Sequence, residues 1–227
     1  MWLSIVAVVL AVVLPLGIER FRRPKLICVW AEPQPVNDDW YIHLQVINKP
    51  VPFPLGLLLM RNTATTCRAR MTFHGTSIKG ELATWPEKPD PMTLSLMPDT
   101  TYAYVFDPTK LEERFKMDLE PNKEGEAIIV AIKGDDEAAF AIGKASYLDA
   151  WNQGRRAPQL ILLPGEHRLT VDVSAGTAKG HSEFIVRNMG SHRKDLSIEE
   201  FTPEHPATHA RLTDAVKRRW AARARSG

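Results

Sequence analysis

Few side chains of this chain stand at spacings that serve chemistry. His205 and His209 are four residues apart, which on a helix places two imidazoles on one face, the beginning of a zinc site. Pro206 between them and the want of a third neighbouring ligand argue against one. Asp38-Asp39, Glu112-Glu113 and Asp135-Asp136-Glu137 offer carboxylate oxygens of the kind that hold Ca²⁺. They lack the ordered spacing of a calcium loop and read as solvated turns. Trp151 precedes Arg155 and Arg156 in a polar loop that ends at Pro158. An indole beside two guanidinium groups can bind an anion or a sugar face; the same sequence also suits a loop pinned by one buried Trp. Arg68 and Arg70 on one strand face are open to the same two kinds of reading, an anion site or, more plainly, a cross-strand pair with Asp172. There is no glycine-rich phosphate loop, no GxSxG, no HExxH and no CxxC. Catalytic, metal and cofactor residues are accordingly expected to be none.

The elements that position these residues read as strands. Leu26 to Ala31 is a short apolar run. In WYIHLQVI, Trp40, Ile42, Leu44 and Val46 alternate with Tyr41, His43, Gln45 and Ile47, the period of a half-buried strand, with His43 on the solvent side. TCRARMTF, EAIIVAIK, EHRLTVDV and SEFIVR repeat the pattern, with Ser174 to Gly180 joining the last two as a hairpin. Only Thr109 to Phe115 and Lys144 to Trp151 read as helical. Many short strands with turn residues between them predict a mainly β fold, an immunoglobulin-like antiparallel sandwich over residues 26–202. Cys28 and Cys67, the two cysteines, fall in apolar strands and are expected as buried free thiols; in an extracytoplasmic domain they would be the natural disulfide pair.

One stretch departs from the pattern. Pro50, Pro52 and Pro54 forbid a central strand and precede the apolar run to Met60. Two readings compete: a crossover loop whose Leu57, Leu58 and Leu59 plug one end of the sandwich, or an apolar patch of Leu57, Leu58, Leu59 and Met60 offered to a membrane or a partner.

Both ends of the chain differ from the body. Trp2 to Ile18 carry no charge, and Arg20, Arg22, Arg23 and Lys25 follow against Glu19 alone. A helix of that run spans ~26 Å at ~1.5 Å per residue, enough to bridge a hydrocarbon core with slight thinning. A cleaved signal peptide requires basic residues before the run and a small-x-small cleavage site after it; nothing basic precedes Trp2, and Leu16-Gly17-Ile18-Glu19-Arg20 is a poor cleavage site. Residues 1–25 therefore read as an uncleaved single-pass transmembrane anchor, and the basic flank places the body on the cytoplasmic side. Residues 26–202 hold 19 basic and 24 acidic groups, an acidic balance that argues against nucleic acid as the main ligand. Residues 203–227 hold six basic and two acidic groups. From Pro206 onward a basic amphipathic helix is expected, with Leu212, Val216 and Trp220 on one face and Arg211, Lys217, Arg218, Arg219, Arg223 and Arg225 around them. Such a helix suits anionic lipid or an acidic protein; a frayed basic end is the plainer alternative.

The segments VINKP, RNTATTCRARMTF, TWPEKPDP, SYLDAW and LPGEHRLTVDV resemble those of a loose set of uncharacterised prokaryotic membrane proteins with an N-terminal anchor followed by a β-sandwich. The resemblance covers roughly residues 1–190, with Cys67, Arg68, Ala69, Trp85 and Trp151 at its marked positions. It implies a fold and an anchor and carries no catalytic residues. A membrane-anchored, non-enzymatic binding module is the expectation; the alternative is a hydrolase or sugar-acting enzyme with a loop-built site near Trp85 and Trp151.

Overall fold

Alternation along the long strands survives into three dimensions. Ile42, Leu44, Val46 and Asn48 are buried, while the residues between them are partly exposed. The computed structural model describes residues 2–96, 102–121, 124–135, 138–148 and 156–202, with residues 2–10, 94, 96 and 102–104 described by backbone alone. After helix α1 (Trp2–Arg22) come strands β1 (Leu26–Trp30), β2 (Gln34–Val36), β3 (Asp39–Asn48), β4 (Ala64–Phe73), β5 (Glu81–Leu82), β6 (Met92–Leu96) and β7 (Tyr102–Phe106). Helix α2 (Pro108–Arg114), β8 (Met117–Leu119), β9 (Glu126–Lys133), β10 (Ala139–Ala141) and helix α3 (Ala145–Leu148) follow. The described chain closes with β11 (Ile161–Leu162), β12 (Gly165–Ala175), β13 (Ala178–Asn188) and β14 (Leu196–Glu200).

Two antiparallel sheets result. One runs β1-β3-β9-β10-β11 with β2 alongside β3; the other runs β14-β13-β12-β4-β5 with β8 alongside β4; β6 and β7 form a separate hairpin. The fold is thus mainly β with few helices. A single core joins the sheets: Ile42, Leu44, Val46 and Val130 from the first, Met71, Phe73, Leu169, Val171, Phe184 and Val186 from the second. The expected hairpin is a tight one. Ala175 pairs with Ala178, and Gly176 takes a left-handed φ of 56°, a conformation that favours glycine.

Strand β1 is an edge of the first sheet, and β13 covers it. Ser182 Oγ accepts from the Cys28 N–H at 3.2 Å and donates back to the Cys28 carbonyl at 3.4 Å, so a hydroxyl satisfies an otherwise open edge. Gly180 permits this approach, because a Cβ there would stand 2.5 Å from the Leu26 carbonyl oxygen.

Cys28 and Cys67 are free and buried, 7% and 0% exposed. Burial pushes each thiol up to about 12. Both should be almost wholly protonated at pH 8 and inert to Ellman's reagent in the native chain, reacting only after denaturant is added. A thiol that reacts at once in the folded protein would show that one strand opens.

His43 departs from expectation. It lies on the outer face of β3, yet that face has a small core of its own built from Ile129, Ile132 and Ile142, with Tyr41 and Phe140 packed against it. His43 stacks on Tyr41 with ring centroids 6.0 Å apart, is half-buried, and burial lowers its pKa.

Helix α1 forms over the apolar run, with Pro15 inside it. Val12, Val13, Leu14 and Leu16 are 55 to 67% exposed. Among the described residues no helix is long and apolar enough to cross a membrane; the side chains of α1 are described from Ala11 to Arg22.

Candidate functional site

The antiparallel order brings the exit of α1, the end of β3 and the start of β4 to one end of the two sheets. Leu26 pairs with Asn48, and the Lys49 N–H donates to the Lys25 carbonyl at 2.9 Å. The segment between β3 and β4 leaves from this end. Its three prolines have no N–H for a ladder, and it folds instead into a one-turn helix at Leu55–Leu57. The N–H groups of Gly56, Leu57, Leu58 and Leu59 donate to the carbonyls of Pro52, Pro54, Leu55 and Leu55 at 2.9 to 3.1 Å. Gly56 is needed there, since a Cβ would meet the Val51 carbonyl oxygen at 2.6 Å.

The plug reading is overturned by this segment. Val51 is buried and Leu59 half-buried, but Phe53, Leu57, Leu58 and Met60 are 82, 76, 85 and 78% exposed. The physical reason is local: the turn closes its hydrogen bonds upon itself and stands outside a core that the strands already fill. An apolar lobe is left on the surface.

The lobe is fastened to the helix. Asn62 N–H donates to the Arg22 carbonyl at 2.7 Å, supplying one of the partners that a helix C-terminus lacks, and Arg61 Nη1 donates to the Arg23 carbonyl at 2.7 Å. Asn48, fully buried, completes the joint. Its Nδ2 donates to the carbonyls of Asn62 (2.9 Å) and Leu119 (3.1 Å), and its Oδ1 accepts from the Lys25 N–H at 3.1 Å. Arg20, Arg22, Arg23, Lys25 and Lys49 are exposed around the joint. Beside it lies a groove of about 430 Å³ bounded by Glu19, Arg23, Thr63 and the Gly176-Thr177 turn.

The outer face of the second sheet carries a polar ladder. Arg70, Asp172 and His181 stand in register across β4, β12 and β13. His181 Nδ1 and Asp172 Oδ1 are 2.8 Å apart, and this hydrogen bond raises the imidazole pKa. Arg70 Nη1 donates to the Gly80 carbonyl. Arg168 grips Glu183 through two bonds of 2.7 and 2.9 Å and lies over the Phe201 ring. A groove of about 420 Å³ follows this ladder past Lys179.

Among the described residues, the remaining sequence candidates do not come together. Trp85 is fully buried and can present no face to a ligand. Arg156 is held by Asp39 at 2.7 Å, while Trp151 and Arg155 lie outside the described residues. So does all of 203–227, including Arg211, Lys217, Arg218, Arg219, Trp220, Arg223, Arg225 and the two histidines. Glu112 meets Lys144 and Lys116, and Asp135 accepts from the Arg193 N–H at 2.9 Å. Among the described residues no three His, Cys, Asp or Glu side chains converge as a metal site would require.

Among the buried polar residues, Asn48, Lys133, Asn188 and Arg114 escaped the sequence reading. Arg114 Nε donates to the Tyr147 hydroxyl at 2.7 Å, and its Nη1 donates to the Lys88 carbonyl. No spacing announces such residues, because their partners lie tens of residues away. Compared with family models, with curated proteins and with solved structures, the chain matches none.

Proposed function

We propose that the chain is a membrane-anchored, non-enzymatic binding module: α1 as the single-pass anchor, an immunoglobulin-like sandwich as the body, and the basic 203–227 segment as a further contact with anionic lipid or an acidic protein. The observation that carries this reading is the exposure of Val12, Val13, Leu14 and Leu16 on a helix that continues an uncharged run from Trp2 and ends at Arg20, Arg22 and Arg23. In water such a row of apolar side chains costs free energy; in hydrocarbon it does not. The basic flank supports a body on the cytoplasmic side. The alternative, a hydrolase or sugar-acting enzyme with a loop-built site near Trp85 and Trp151, gains no support from Trp85, whose indole is fully buried.

Membrane fractionation tests the anchor. The full chain is expected to stay in the pellet through an alkaline carbonate wash and to leave it only with detergent. Release by carbonate alone would sink the anchor, and a reporter on the C-terminus active only outside the cytoplasm would reverse the orientation.

A further inference from the structure

We infer that the lobe Pro52–Met60 is a second membrane contact, seated in the boundary between headgroups and acyl chains beside α1, so that the joint end of the β body lies flush against the bilayer. The inference rests on the anchor reading above and specifies what the exposed lobe touches.

Position comes first. The lobe is tied through Arg61 and Asn62 to the carbonyls of Arg23 and Arg22, the residues at which an anchoring α1 would leave the hydrocarbon. A segment bonded to that point stands at headgroup depth whenever the helix spans. Composition comes second. Phe53, Leu57, Leu58 and Met60 are exposed, and the only charged residues from 49 to 63 are Lys49 and Arg61, both basic. Apolar side chains flanked by Lys and Arg suit an interface that is apolar on one side and anionic on the other.

Backbone chemistry comes third. Leaving water costs free energy for every unpaired peptide group, which excludes most loops from lipid. Here Pro50, Pro52 and Pro54 have no N–H, and the N–H groups of residues 56–59 are bonded within the turn. The lobe is too short to cross, so it dips and returns. A protein partner has no comparable support: the neighbour of the lobe at the joint is the helix end.

The full chain in vesicles of phosphatidylcholine and phosphatidylglycerol provides the test. Single cysteines are placed at Leu58, at Val12 in α1 and at Leu163 on the far end of the sheets, and each is labelled with an environment-sensitive fluorophore. The buried native thiols should not compete for label. Leu58 and Leu163 are both exposed, so neither substitution strains the fold. Blue-shifted emission quenched by spin-labelled lipid is expected for L58C and V12C, with water-like, unquenched emission for L163C. A quenched V12C beside a water-like L58C overturns the inference and leaves the anchor standing. An unquenched V12C removes the anchor and the inference with it. A blue-shifted L58C that lipid does not quench assigns the lobe to a protein surface and overturns the inference.

Discussion

Asn48→Ala is expected to lower the unfolding free energy by about 2–4 kcal/mol, measured by denaturant titration of the full chain in mild detergent. Asn48 is 0% exposed and holds three backbone groups, from Lys25, Asn62 and Leu119. Truncation leaves those groups without their partner in a place that water reaches poorly, and each unsatisfied group costs about 1–3 kcal/mol before relaxation. Asn48→Asp separates this account from simple loss of volume. An aspartate has nearly the same shape but, when ionised, only accepts, so it would face two carbonyl oxygens with no donor. It should be at least as destabilising as alanine at neutral pH and recover as acid protonates it. A change under about 0.5 kcal/mol for alanine, the range of ordinary surface substitutions, would mean that the joint is held by other contacts.

Because Asn48 links the exit of α1 to both the lobe and the segment before β9, it couples the orientation of the helix to that of the body. Few side chains fill that role from a strand terminus. An amide has donors and an acceptor on one planar group, so it can bind two carbonyls and an N–H at once. This chemistry explains an asparagine at the last position of a strand whose other inward residues, Ile42, Leu44 and Val46, are aliphatic.

The long strands were legible because their period of two is a direct print of one buried face. β3, β4, β12 and β13 all fall where alternation put them. Helix α2 falls where Thr109 to Phe115 read as helical, and the structure adds its cap: Asp107 Oδ1 accepts from the Thr109 and Lys110 N–H groups at 2.9 and 3.4 Å, and Pro108 follows in the first turn. The short strands were not legible. β8, β10 and β11 are two or three residues long, too few to show a period, and exist because a longer neighbour supplies their ladder. EAIIVAIK carried a warning in its unbroken apolar run: β9 is covered on both faces, which is also why His43 beside it is half-buried. At the joint, the sequence marked the apolar lobe and left its exposure open between two readings. Exposure was decided by hydrogen bonds inside the turn and by a core already full, both tertiary facts.

Lys133 closes β9 at the other end of the sheets, and its replacement by methionine is expected to cost about 1–3 kcal/mol at pH 7. The side chain is 1% exposed. Its Nζ donates to Asn188 Oδ1 at 2.6 Å and to the Gly190 carbonyl, while Asn188 Nδ2 donates onward to the Leu162 carbonyl at 2.9 Å, so one ammonium organises three chain segments. Methionine keeps the length and removes the donor; the buried Asn188 oxygen then loses its partner, whereas the partly exposed Gly190 can turn to water. The pH dependence supplies a second signature. Burial lowers the Lys133 pKa from its usual 10.5, opposed by the charge of Asp195. A depressed folded pKa means that the unfolded chain binds the proton more tightly, so this group's contribution is complete above the unfolded value and declines as pH falls through the folded one. Stability of the native chain should therefore rise relative to Lys133→Met as pH increases towards 10.5, the usual lysine value. Parallel denaturant titrations of the two proteins across that rise in pH measure it. A gap that narrows with rising pH would show that the folded state favours the charged ammonium, and that the attraction of Asp195 outweighs the cost of burial.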